Sequence, residues 1–226
     1  MAWTLYEGDC REVLKQFPDN HFDAVVTDPP FKLSQEYSQN ADADNLVAVS
    51  SIWPVSQELF RVAKQGALAA VFYDIRILPL ALQAFTHAGW KYLRGLTFYR
   101  RWGNAHQLYG WMSTSDFILI FAKPGEKYNF YGTWAHDVYI KDKPESEGFN
   151  HPAQKPLDVV EHLVARITPE NGIVLDCYAG SGTVGVAAEG TNRKSIMIEQ
   201  DPKYCNIIRN RMSNRQTTIF EEGVTT

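Results

Sequence analysis

One stretch constrains this chain more than any other: Ile173-Val174-Leu175-Asp176-Cys177-Tyr178-Ala179-Gly180-Ser181-Gly182-Thr183. Three apolar residues and an aspartate read as a strand covered on both faces, and the glycines behind them as a tight turn opening a helix. Gly180 and Gly182 allow the backbone to turn sharply and approach a ligand with no Cβ in the way. Seventeen residues after Gly182, Glu199 ends the apolar run Ser195–Ile198. An acid at the tip of the next strand is placed to accept hydrogen bonds from both ribose hydroxyls of an adenosine. The glycines Gly180, Gly182 and Gly185 also satisfy G-x-G-x-x-G, so the loop alone leaves a nicotinamide dinucleotide and S-adenosylmethionine both open. A plain strand-to-helix turn that needs glycine is the bland alternative.

Around this loop, apolar runs alternate with amphipathic stretches. Strands are predicted at Ala24–Thr27, Ala67–Tyr73, Leu93–Tyr99, Phe117–Ala122, Ile173–Asp176 and Ile196–Glu199. Helices are predicted at Arg11–Gln16, Val49–Ala63, Ile77–Ala88, Leu157–Ile167, Thr183–Glu189 and Pro202–Ser213. Gly66 and Gly89 read as helix stops, and Pro202 sits where a first helical turn tolerates proline. The alternation implies an α/β fold with a largely parallel sheet and helices on both faces. At 226 residues the chain fits a single domain, with no internal repeat or linker. Two stretches lack an apolar period: a polar loop at about 32–48, and Pro124–Gln154, rich in Tyr128, Phe130, Tyr131, Trp134 and Tyr139. Both are expected to face substrate.

Composition narrows the class. No apolar run reaches membrane-spanning length, and the N-terminus does not read as a secretory signal. The scattered Cys10, Cys177 and Cys205 carry no metal-binding spacing, so no metal site is expected and a reducing, cytoplasmic setting is. A net charge of -4 does not favour a long phosphate-gripping surface, although Lys91, Arg94, Arg100 and Arg101 form a basic group. Such a group is also what an ordinary solvated face carries.

The predicted strand Ala24–Thr27 runs straight into Asp28-Pro29-Pro30-Phe31. Two prolines stiffen the loop and remove two amide donors, leaving a carboxylate, carbonyls and a ring together at a strand end. An exocyclic amino nitrogen of adenine or cytosine is a poor nucleophile because its lone pair is delocalised into the ring. Hydrogen bonds from its two N–H groups to Asp28 and the Pro29 carbonyl would localise that pair, and Asp28 could take up the released proton. Phe31 offers a stacking face for a base turned out of a duplex. In isolation the tetrapeptide could also be a turn with a capping aspartate.

Taken together, these blocks resemble the beta-class DNA amino-methyltransferases, which act on adenine N6 or cytosine N4. The matching blocks, in that class's order, are Gly8-Asp9-Cys10 through Phe22–Phe31, then His151-Pro152-Ala153-Gln154-Lys155-Pro156, then Val174–Thr183 through Arg193 to Glu199 and Tyr204. The resemblance implies a Rossmann-like methyltransferase fold, S-adenosylmethionine as cofactor and DNA as partner. It places Asp28, Pro29, Pro30 and Phe31 at the target base, with Asp28 also touching the cofactor. It places Asp9 at the cofactor's adenine, Glu199 at the ribose, and Gln154, Lys155 and Pro156 at the methionine end. Asp176, Tyr178, Gly180, Ser181, Gly182 and Thr183 complete that pocket. Asp9 could equally cap the helix that follows it. Two departures stand out: Cys177-Tyr178 replaces the usual Pro-Phe, and Phe31 replaces a more common tyrosine.

The aspartate of the tetrapeptide favours adenine over cytosine. DNA contacts are expected from Arg100, Arg101, Asn104, His106, Lys141 and Lys143, with target recognition within about 124–150 and help from the loop after Phe31. Trp102 and Trp111 fit either a stacking or a core role. The resemblance further implies a stand-alone modifier of a bacterial or phage-infected cell, paired with a separate nuclease or carried by a phage, with homodimerisation common in the class. Competing readings are an RNA amino-methyltransferase, a nucleotide-dependent oxidoreductase and a non-catalytic DNA-binding relative.

Overall fold

A computed structural model describes residues 2–30, 41–105, 112–142 and 155–222, with the backbone alone at 41–50, 76, 102–105, 112, 113 and 214–222. Eight strands form one sheet: β1 (Trp3–Glu7), β2 (Phe22–Thr27), β3 (Ala63–Tyr73), β4 (Lys91–Ala105), β5 (Met112–Ala122), β6 (Val138–Lys141), β7 (Ile173–Asp176) and β8 (Lys194–Glu199). Their order is β1-β8-β7-β2-β3-β5-β4-β6. The pairs from β1 to β3 are parallel, β5 is antiparallel to both β3 and β4, and β6 is parallel to β4. Only β5 therefore runs against the rest, which bears out the expected largely parallel sheet.

The helices are α1 (Cys10–Val13), α2 (Ala41–Val62), α3 (Leu78–His87), α4 (Leu157–Ile167), α5 (Thr183–Gly190) and α6 (Pro202–Glu222). They divide between the two sheet faces because strand side chains alternate. Val25, Val71, Leu119, Phe121 and Leu175 face Leu14, Val55, Leu59 and Phe85 of the first three helices and the short turn after α1. Ala24, Val26, Leu68, Ala70 and Val174 face Val160, Leu163, Val164, Val184 and Ala187 of α4 and α5. On α2 the buried residues Ile52, Val55, Leu59 and Val62 recur at helical spacing, forming the stripe that docks it. No helix of the described residues is long and apolar enough to cross a membrane.

Three expectations are corrected. Residues 41–48, part of the stretch expected as a loop, are the first turns of α2, and residues 32–40 lie outside the described residues. Gly66 is not a helix stop: α2 ends at Val62, and Gly66 bends the start of β3 at φ +77, so close to the Lys127 carbonyl that a Cβ could not fit. The exit of α2 is secured instead by the buried Lys123. Its Nζ donates to the carbonyls of Phe60 at 2.7 Å and Ala63 at 2.8 Å, and to Asn20 Oδ1 at 3.0 Å. Burial lowers the pKa of this ammonium. Finally, β1 and β6, both edge strands, extend the sheet beyond the six predicted strands.

The sheet has one topological switch point. From β2 the chain crosses through α2 to β3 on one side, and from β7 through α5 to β8 on the other, while β2 and β7 are neighbours. In open α/β sheets the crevice beyond the strand ends at such a point is where ligands bind.

Candidate functional site

The two motifs singled out in the sequence meet at that switch point. Ala24 and Val25 of β2 pair with Val174 and Leu175 of β7, so Thr27 and Asp176 emerge side by side. The Thr27 hydroxyl donates to Asp176 Oδ1 at 2.9 Å, with both side chains buried. The Tyr178 amide donates to the same oxygen at 3.1 Å. Among the described residues no group donates to Oδ2. A carboxyl in this position is expensive to ionise, and its pKa is raised to about 7, chiefly by burial, against the hydrogen bonds from Thr27 and Tyr178. The charges of Asp28 and Glu199 add to the rise.

The Thr27 hydroxyl also shares a hydrogen bond with the Cys177 thiol, 3.5 Å away. Cys177 and Tyr178 also neighbour Cys10 at the start of α1 and hold its thiol below the ordinary pKa. Burial pushes both the Cys177 thiol and the Tyr178 phenol up.

The loop beyond Asp176 is pinned from three sides. Gly180 and Gly182 both adopt left-handed backbone, at φ 52 and 80, which a Cβ would penalise. Ala179 donates to the Ile198 carbonyl at 3.0 Å, and Gly180 donates to Glu199 Oε2 at 2.8 Å. Glu199 Oε1 accepts from the Asp201 amide at 2.8 Å. An ionised carboxylate offers about four acceptor positions, so Glu199 retains two, the number a ribose diol requires. Ser181 and Thr183 are buried and are held by Arg211 of α6, which donates to the Ser181 carbonyl at 3.1 Å and to Thr183 Oγ1 at 3.2 Å. These two residues therefore brace the loop.

Asp9 lies beyond β1, whose end is tied to β8 by Gly8 donating to the Glu199 carbonyl at 2.8 Å. It caps α1 by accepting from the Arg11 amide at 2.9 Å, the role proposed beside its cofactor role. The Arg11 guanidinium clasps both its oxygens and holds the carboxyl below its ordinary pKa. Asp28 follows Thr27 directly, with Pro29 buried and Pro30 exposed. Lys155, expected at the methionine end, places its Nζ 2.7 Å from Asp28 Oδ2. Pro156 is the N-cap residue of α4. Phe31 and Gln154 lie outside the described residues.

The residues proposed for DNA sit elsewhere. Arg100 and Arg101 near the end of β4 and Lys141 at the end of β6 share Asp28's side of the sheet, since both strands run with β2. Each is ion-paired: Arg100 with Asp116 at 3.2 Å, Arg101 with Asp142 at 3.0 Å and Lys141 with Asp158 at 2.6 Å. Asn104 continues β4 opposite Ser113, while His106 and Lys143 lie outside the described residues, as do the side chains of Trp102 and Trp111. The segment proposed for target recognition, about 124–150, divides in two. Its first part is fastened to the opposite end of the sheet, by Asn129 donating to the Gly66 carbonyl at 2.9 Å and Tyr131 to the Arg166 carbonyl at 2.8 Å. In its second part β6 runs toward Asp28's side, and residues 143–150 lie outside the described residues.

Sequence reasoning overlooked Thr27 and Arg211. A threonine closing a strand buried on both faces was a usable signal, because a buried hydroxyl needs a partner. Arg211 lies in a polar helix and gave none.

Comparison with known proteins bears on the family and the fold. The protein YubD of Escherichia coli strain K12, a methylase by name, is 28% identical over 204 residues, covering 88% of this chain and 85% of its own. A structure described as an M1.HpyAVI–SAM complex superposes with a TM-score of 0.74 at 21% identity, covering 93% of this chain and 98% of that one. The PvuII DNA methyltransferase, described as cytosine-N4-specific, superposes with a TM-score of 0.77 at 18% identity, covering 90% and 84%. At these identities the structures establish the shared Rossmann-like methyltransferase fold. The DNA methylase family model, which unites N6 and N4 methyltransferases, matches residues 22–210, and this chain belongs to that family.

Proposed function

We propose that this DNA methyltransferase modifies the N6 amino group of adenine in DNA, with S-adenosylmethionine as methyl donor. The observation that carries the reading is the juxtaposition at the switch point: a cofactor-type glycine loop is joined through Asp176 and Thr27 to the strand that delivers Asp28. The residues present fit the cofactor. Asp176 offers a buried acceptor oxygen toward an α-ammonium, Glu199 has two acceptor positions for the ribose, and Gly180 and Gly182 leave the loop without side chains. When bound, S-adenosylmethionine supplies an electrophilic methyl on a sulfonium centre. Asp9, beside the ribose-binding end, serves the adenine moiety.

Asp28 accepts one N–H of the target amino group and the Pro29 carbonyl the other, turning the nitrogen lone pair out of conjugation. Asp28 then receives the proton lost as the new bond forms. The target base must leave the DNA stack to reach this position. Because the reaction needs alignment more than acid–base power, the stiff loop is itself part of the catalysis.

The cytosine-N4 alternative is favoured by one observation, the superposition on a cytosine-N4-specific enzyme. Mass spectrometry of nucleosides from unmethylated DNA treated with enzyme and S-adenosylmethionine separates the two. N6-methyladenine is expected, N4-methylcytosine transfers the reading to the other base, and no methylated nucleoside overturns it.

A further inference from the structure

We infer that Lys155 is a positioning residue for the reaction, acting through the carboxylate of Asp28; this rests on the methylation reading above. Its Nζ lies 2.7 Å from Asp28 Oδ2, with the side chains 19% and 31% exposed. The same ammonium stands 5.3 Å above the ring of Phe72, a buried residue of β3. Both partners are fixed at the backbone. Asp28 is the first residue beyond β2, and Lys155 is followed by Pro156, the N-cap residue of α4. That helix buries Val159, Val160 and Leu163 in the cluster that also holds Ala24 and Val26 of β2.

Exposed ion pairs cost side-chain entropy and stabilise little. This pair differs because a ring, a helix start and a strand end hold it in place. Two consequences follow for an acid that must accept from an amino group. The ammonium fixes the carboxylate plane, so the remaining acceptor directions are set before a base arrives. It also sets a positive charge at the switch point, where the charges of Asp28 and Glu199 both bear on the buried Asp176.

The test compares Lys155→Met and Lys155→Arg with wild type by two readouts: equilibrium affinity for S-adenosylmethionine, and single-turnover methyl transfer to DNA at saturating cofactor. Transfer by wild type is scored first; without it the methylation reading fails, and this inference falls with it. With it, Lys155→Met is expected to slow transfer about 100-fold while cofactor affinity stays within about threefold, and Lys155→Arg to restore most of the rate. In an Asp28→Asn background, Lys155→Met is expected to add no further loss, because its effect passes through that carboxylate. Cofactor affinity weakened about tenfold or more with an unchanged saturated rate would make Lys155 a cofactor ligand and overturn the inference. An unchanged rate and affinity, or losses that multiply with Asp28→Asn, would overturn it as well.

Discussion

At the switch point Asp176 and Glu199 are held by backbone and hydroxyl donors, whereas on the β5-β4-β6 side Arg94 and Arg101 stand in exposed pairs with Asp137 and Asp142. Asp176 accepts from Thr27 and Tyr178, and Glu199 from Gly180 and Asp201, so each acid is oriented by the fold itself. Across the sheet, Arg94 and Asp137 are 66% and 50% exposed, and Arg101 and Asp142 are 62% and 70% exposed. That side also exposes Tyr99, Val138 and Ile140 along its outer edge. A bound cofactor is the same in every turnover, and a preorganised acid suits it. A DNA surface is met by cations that can exchange a protein carboxylate for a phosphate at little cost.

If this division is right, substitutions on the two sides should differ in size and kind. The largest effect is expected from Asp28→Asn, which should lower single-turnover methyl transfer by about 10²–10⁴-fold with little change in melting temperature. Asp176→Asn should follow, with a pH signature. The Asp176 carboxyl titrates at about 7 in the folded chain against an ordinary 3.8, so ionising it opposes folding. Its contribution to stability is full below the lower value and is lost as pH rises to the upper one. Denaturant unfolding of the cofactor-free protein should therefore show the variant gaining on wild type by roughly 2–3 kcal/mol between pH 5 and pH 8. A constant gap would mean that Asp176 is ionised throughout.

Thr27→Val keeps the shape but removes a donor from the buried acid, for an expected loss of about 1–3 kcal/mol at pH 8 by the same unfolding measurement. Smallest is Arg101→Ala. Its exposed pair should contribute less than about 0.5 kcal/mol to stability. DNA titrations at several salt concentrations should show weaker binding, with the salt slope reduced by about one. A loss of stability comparable to that of Thr27→Val would erase the distinction between the sides.

Legibility follows the same line. The strand Ile173–Asp176 and helix Leu157–Ile167 are observed with the bounds their patterns predicted, because each is buried and bordered by strong stop signals. The edge strands were missed for the opposite reason. β1 is five residues long with no fully buried position, and β6 exposes alternate residues within an aromatic, turn-rich stretch, so neither forms an apolar run. Gly66 misled because a glycine after a helical pattern commonly ends it, whereas here it serves a close approach to Lys127. At the site, Asp28 and the glycine loop were legible as motifs, each interpretable by its own chemistry. Their meeting through Thr27, the brace from Arg211 and the grip of Lys155 on Asp28 depend on which strands are neighbours, which no local pattern records.

The central claim is that the acids at the switch point serve different ligands, Asp176 the cofactor and Asp28 the target base. Calorimetric titration of S-adenosylmethionine into Asp28→Asn and Asp176→Asn, side by side at pH 8, tests it most directly. The account predicts affinity within about threefold of wild type for Asp28→Asn and a loss of about tenfold or more for Asp176→Asn. Equal losses in both variants, or undiminished binding by Asp176→Asn, would contradict it.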